Sequence, residues 1–416
     1  MIQDSQSSVP CIVVNANNPM AFAVIRSLGK RNIPVIAAMA KTQKHKNIFS
    51  LIKVSSFVNQ KFYFDETDYE KNLLKCLTRI HQKLKRKSAL IPVDDDAMFM
   101  VSKHRKTLEP FFYFIFPPNH TINMILDKFT FYHHALKNNL PIPDTYFANS
   151  QKDIPLISKK IRYPCLIKPP WRQKSWYDHF GSQKVVTIHS PDDLQKQSHI
   201  VFQFQKSFVV QEEVSGNDKN ILCSFTILDQ QSNPLCFFIC RKVRQYPPYK
   251  GDTSMAESCY DAEIETITLD VCKKLKLVGY ISIEFKKDLR DHSFKIIEIT
   301  PARINRQSGL ATVSGIDIPW IWYQAVLGKS FTTKKRYQMG IHWISEPNEL
   351  RSIHTYLKNR DLSIRNLFNS YRSVRGFEVF EKTDLLPFLI FLFQFVSQFF
   401  SLTSKLLLYP FKRRRI

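Results

Sequence analysis

Two short segments, Gly279-Tyr-Ile-Ser-Ile-Glu-Phe285 and Phe294-Lys-Ile-Ile-Glu-Ile-Thr300, constrain this chain more than any other feature. In each, apolar and polar residues alternate, the period of a strand with one buried face. Ile281, Ile283 and Phe285 share one face of the first, leaving Ser282 and Glu284 on the other. In the second, Ile297 and Ile299 alternate with Glu298 and Thr300. The polar linker between them predicts a hairpin, and one symmetric about Asp291 sets Glu284 opposite Glu298. Like charges directly across a strand pair repel. A divalent cation between them removes that cost, and oxygen donors suit magnesium. The plain alternative is a pair of exposed glutamates neutralised by nearby lysines.

The N-terminal region is patterned as α/β. Cys11-Ile-Val-Val14 is a short apolar run, Asn15-Ala-Asn-Asn-Pro19 is turn chemistry, and Ala21 to Leu28 has helical apolar spacing. Gly29 stops the helix before Pro34-Val-Ile-Ala-Ala38, which opens a parallel βαβ unit. The turn lacks Gly-x-Gly-x-x-Gly, so dinucleotide binding is not supported. A further buried strand, Ala89 to Val93, ends in Asp94-Asp-Asp96, acids placed to cap the next helix. A second region opens near Pro117-Pro118. A helix is predicted over Asp127 to Asn138, then strands at 163–167, 185–188, 208–210, 225–228 and 235–240. Beyond about residue 330 the chain is basic and less patterned.

Composition narrows the partners. The 416 residues, 44% of them apolar, are enough for two or three cores. A formal charge of +24 implies an anionic partner. Nucleic acid is not expected, because the basic residues are spread and form no recognisable binding motif. Eight cysteines without Cys-x-x-Cys or zinc spacing read as reduced, buried thiols. The polar N-terminus has no basic leader, and no stretch reaches the roughly 20 apolar residues of a membrane span, so a cytoplasmic location is expected.

A Glu on one strand followed by Glu-x-x-Pro-x-Arg on the next resembles the metal-binding end of the ATP-grasp superfamily. Other motifs follow in the same order. Asp127-Lys128 resembles the dipeptide that opens the ATP-grasp domain, and Leu140-Pro-Ile-Pro-Asp-Thr145 the segment after it. Tyr163-Pro-Cys-Leu-Ile-Lys-Pro169 resembles the strand whose lysine contacts the nucleotide phosphates. Phe208-Val-Val-Gln-Glu-Glu-Val-Ser-Gly216 resembles the hinge that receives adenine, and Ser314 to Pro319 the closing loop. The resemblance covers roughly residues 10 to 330.

It implies a Rossmann-like domain over 1–116, an α+β ATP-grasp domain over 117–330 and a helical C-terminal extension over 331–416. It also implies ATP and magnesium, with manganese as a substitute. Lys128, Lys168 and Lys184 would neutralise the phosphates. Gln211, Glu212, Glu213 and Val214 would meet adenine, and Asp218 a ribose hydroxyl. Glu284 and Glu298 would hold the metal. Arg303 would stabilise an acyl phosphate or its carboxylate precursor, and Arg241, in the basic cluster Arg241-Lys-Val-Arg244, would meet a substrate carboxylate or phosphate.

Two departures matter. Thr300 stands where the family has Asn, and Ala302 separates Pro301 from Arg303, which leaves Thr300 and Asn305 as irregular second-metal ligands. The loop after Lys168 is bulky and basic rather than glycine-rich, with Arg172 and Lys174 placed to close over phosphates or aromatics placed to dock a large substrate. The expected activity is that of a carboxylate–amine ligase similar to carbamoyl phosphate synthetase and D-aspartate ligases. The rival expectation is a catalytically impaired, membrane-associated ATP-binding module. Residues 385–416, a wide apolar helix closed by Lys412-Arg-Arg-Arg415, suit an anionic membrane surface, packing on the core, or a homodimer seam equally.

Overall fold

The computed structural model describes residues 8–41, 51–171, 174–181, 183–329 and 336–408. The chain forms two compact units. The first comprises residues 1–114, 245–257 and 303–416, the second residues 115–244 and 258–302.

The first unit opens with a five-stranded parallel sheet of β1 (Cys11–Val14), β2 (Val35–Lys41), β3 (Gln60–Asp65), β4 (Ser88–Pro92) and β5 (Phe112–Tyr113), in the order β3-β2-β1-β4-β5. Every residue of β1 is buried, as a strand covered on both faces requires. The helix Ala21–Gly29 sits as its spacing predicts. Asp94 caps the helix Asp95–Lys103 by accepting from the Ala97 amide at 2.9 Å, which is why the acidic run begins at that strand end.

The second unit contains two antiparallel sheets. One holds β6 (Thr145–Ala148), β7 (Cys165–Lys168), β8 (Val186–Ile188) and β9 (Phe208–Glu212) in the order β6-β9-β7-β8. The helices Ile154–Lys160 and Pro191–Phe202 and the fully buried Trp176 share a core with one face of it. β10 (Ile221–Leu228) and β11 (Pro234–Tyr246) belong to the other sheet; β12 (Asp252–Cys259) lies largely in the first unit. β13 (Gly279–Lys287) and β14 (Phe294–Pro301) are the expected hairpin and complete the second sheet in the order β14-β13-β10-β11. Its apolar face carries Leu222, Ile239, Ile281, Ile283, Phe285 and Ile299 into a core shared with the helices Lys128–Lys137 and Ala262–Lys274.

The hairpin is not symmetric. Lys286 pairs with Lys295 and Lys287 with Phe294, so an unbroken ladder would set Glu284 against Ile297. A register shift between Glu284 and Phe285 restores the pair Glu284–Glu298. The extra residue on β14 turns Glu298 onto the Glu284 face.

The basic region after residue 336 is well structured. β15 (His342–Ile344) and β16 (Val374–Phe377) join β12 in the order β12-β15-β16, with helices at Glu346–Lys358, Ile364–Tyr371 and Leu385–Leu408. Buried polar groups hold this region together and tie it to the helix Ala21–Gly29 within one unit. Arg26 bonds Asp384 at 3.1 Å and the carbonyls of Glu378 and Val379, and Glu346 accepts from the amides of Glu378, Val379 and Phe380. Compact organisation therefore does not follow the linear breaks at 117 and 330.

Candidate functional site

The site is built on the polar face of the β13–β14 hairpin. Residues directly paired across strands share a face, so Glu298, Glu284, Cys223 and Cys240 line up across β14, β13, β10 and β11. Thr300 and Ser282 pair one step along on the same side, and Lys242 lies two residues beyond Cys240. Lys242 Nζ lies 2.7 Å from Glu284 Oε2, its side chain only 6% exposed against 26% for Glu284. Lys128 Nζ lies 3.7 Å from Glu298, which is 51% exposed. Both carboxylates are therefore charge-compensated by lysines, and Glu298 is the more exposed of the two.

Lys168, at the end of β7, belongs to the same constellation. It donates to the Tyr132 hydroxyl at 3.2 Å and to Gln211 Oε1. Gln211 in turn donates through Nε2 to Thr145 Oγ1 at 2.8 Å. Burial lowers the Lys168 pKa from 10.5 to about 8, although Glu298, Glu284 and Glu213 pull it back up. A buried ammonium with no carboxylate in direct contact among the described residues is costly. It is suited to an anion that arrives later.

No family model matches the chain. A D-aspartate ligase from Enterococcus faecium is 20% identical over 328 residues, 76% of each chain. A carbamoyl phosphate synthase large chain from Saccharolobus islandicus is 20% identical over 216 residues, half of this chain but a fifth of that protein's length. Among solved structures, biotin carboxylase from Campylobacter jejuni in complex with β,γ-ATP superposes with a TM-score of 0.61 at 14% identity, covering 80% of this chain and 74% of that one. L-amino acid ligase from Bacillus licheniformis gives 0.57 at 14%, covering 77% and 75%. The proteins it is similar to in sequence and in fold are ATP-grasp carboxylate–amine ligases.

The residues expected on the adenine side are largely engaged in internal bonds. Glu212 is buried, and its carboxylate is taken by Arg290 at 2.8 Å and the Asp144 amide at 3.2 Å. Arg290 is held in turn by Asp288, whose pKa it lowers. The amides of Glu212 and Glu213 donate to the carbonyls of Asp144 and Pro164, which takes both donors out of any adenine contact. Val214 and Asp218 are buried just beyond, Asp218 opening the short turn Asp218–Asn220. Lys184 is exposed ahead of β8.

Arg241 is a correction. It pairs with Leu222, which faces the apolar core, so strand alternation puts it on the side opposite Glu284. Lys242 takes the place beside the carboxylates instead. The run Arg241-Lys-Val-Arg244 is the right segment, but choosing the residue requires the register of β11. Tyr132 is a site residue that sequence reasoning misses, although a signal exists: it lies four residues after Lys128, on the same helix face.

Arg303 and Asn305 belong to the first unit. There the Arg303 guanidinium bonds Asp95 and, through Nη1, Asn305 Oδ1 at 2.6 Å. The neighbouring Asp94 bonds Asn15, and burial, with Asp96 and Asp95 nearby, pushes its carboxyl up to about 7. The segment after Lys168, expected as a loop, forms a helix over Lys174–Phe180, in which Trp176 is buried and donates from Nε1 to the Gln183 carbonyl at 2.8 Å, whereas Trp171 and Tyr177 are exposed. Arg172 and the Lys174 side chain lie outside the described residues. All eight cysteines are buried free thiols.

Proposed function

We propose that this protein is an ATP-dependent ligase of the ATP-grasp type that activates a carboxylate as an acyl phosphate and joins it to an amine. The observation that carries the reading is the shared face of Glu284 and Glu298 with Lys128, Lys242 and the buried Lys168 close by. Three ammonium groups around a carboxylate pair suit a polyphosphate with its counter-ion. The donor set is hard oxygen, with Thr300 on the same face, and so fits magnesium. Magnesium held by Glu284 and Glu298 would offset phosphate charge.

In the proposed reaction a carboxylate oxygen attacks the γ-phosphorus of ATP and the bond to the β-bridging oxygen breaks, releasing ADP. The amine then attacks the carbonyl carbon, phosphate leaves, and the nitrogen loses a proton. Lys168 and Lys128 neutralise the phosphates, Lys242 stabilises developing negative charge, Gln211 orients Lys168, and Val214 and Asp218 receive the nucleoside. Positioning and fixed charge supply most of the rate.

The test is magnesium-dependent ADP release against a panel of carboxylates and amines. Amino acids enter first because two relatives are named as amino-acid ligases. Turnover with one pair and its loss in Glu298→Gln supports the proposal. ATP binding without turnover on any pair overturns it in favour of an impaired ATP-binding module.

A further inference from the structure

We propose that the helix Leu385–Leu408 lies on an anionic lipid bilayer, with its exposed apolar stripe in the headgroup–acyl boundary. Among its described side chains, the helix is held on one side. At its start Asp384 accepts from Arg26, from Ser55 Oγ at 2.8 Å and from the Ser56 amide at 2.9 Å. Pro387 and Phe391 are buried, and the Phe388 ring packs against those of Phe380 and Phe391.

The other side carries Leu385, Leu386, Leu389, Leu392, Phe393 and Val396, from 39% exposed at Leu392 to 76% at Phe393. With successive residues turned by about 100°, these six fall within an arc of roughly 120°, and the packed residues fall outside it. A stripe of that width facing water marks an interaction surface.

Charge selects the occupant. Residues 385–416 contain no Asp or Glu, and the basic residues Lys405, Lys412, Arg413, Arg414 and Arg415 all lie toward the C-terminal end of the sequence. The last four are outside the described residues. Anionic headgroups supply the opposite charge next to an apolar layer; a second copy of the chain supplies more of the same charge. One face of the helix packs on its own unit through Pro387, Phe388 and Phe391, so it presents a bilayer with the stripe and not with its whole circumference. This inference does not rest on the ligase reading.

The experiment is flotation of the full chain, without nucleotide, on neutral phosphatidylcholine vesicles and on vesicles with about 30% phosphatidylserine. Binding is expected only to the anionic vesicles, and it weakens as salt rises. The triple variant Leu389→Ser/Phe393→Ser/Val396→Ser, whose substitutions are all exposed, keeps its circular dichroism and melting. Its bound fraction falls by about tenfold or more. Equal flotation of the variant, or none by the parent, overturns the proposal. A dimer that the variant converts to monomer, with no vesicle binding, reassigns the stripe to self-association and overturns it as well.

Discussion

Lys168→Met separates the cost of a buried charge from its use. Lys168 is 5% exposed, and the lowering of its pKa from 10.5 to about 8 corresponds to about 3 kcal/mol of strain at neutral pH. The folded-state value is the lower one, so the unfolded chain holds more protons between about pH 8 and 10.5. Stability of the parent therefore rises with pH across that window, and below it the penalty is complete. Methionine matches the length of the stem but leaves Gln211 Oε1 short of a donor, a loss of about 1 kcal/mol.

The net expectation is that Lys168→Met is more stable than the parent by about 2 kcal/mol at pH 7 and less stable by about 1 kcal/mol above pH 10.5, where only the lost hydrogen bond remains. Urea unfolding at several pH values reads this directly. Magnesium–ATP should raise the melting temperature of the parent and not of the variant, and ADP release should disappear. A variant destabilised at pH 7, with no pH-dependent difference between pH 8 and 10.5, would refute the claim that this ammonium is held ready for an anion.

Other contacts carry outcomes of their own. Lys242→Met removes the cation that competes for Glu284, so half-saturating magnesium should fall by about 5–10-fold while turnover drops; unchanged magnesium dependence would show that the 2.7 Å pair is not in competition with the metal. Arg26→Met leaves Asp384 and two carbonyls without their buried donor, at a cost of about 3 kcal/mol in urea unfolding; a loss below about 1 kcal/mol would mean the C-terminal region is held elsewhere. Gly279→Ala, at φ +74° and with an added Cβ only 2.2 Å from the Ile115 carbonyl oxygen, should lower stability by about 3 kcal/mol or more, and a melting temperature within a few degrees of the parent would exclude that clash.

Much of the fold is legible along the chain because it rests on local period. The run Cys11–Val14, the helix after Ala21, the capping acid Asp94 and the alternating hairpin strands each declare themselves within a few residues. The region beyond residue 330 does not, because its anchors are distant. Arg26 meets Asp384 across 358 positions, and Glu346 serves the amides of 378–380; no local spacing announces either. Sequence favours Arg241 over Lys242 because a basic run is legible as a run, whereas the face each residue takes is set by pairing with Leu222 and its neighbours on β10.

The hairpin shows the same division. Alternation alone assigns Glu284 and Glu298 to the polar sides of their strands, since burying Ile283 and Ile299 leaves them no other face. Whether the two carboxylates meet is decided by pairing geometry. The turn closes one residue short of the symmetric register, and the shift beside Phe285 brings Glu298 back across from Glu284. The lysines that neutralise them come from 42 positions earlier on β11 and from the helix that Asp127 caps, placed by the sheet and by the packing of that helix. Side-chain period is a property of consecutive residues, whereas the charge balance of this site depends on which strands and helices pack together.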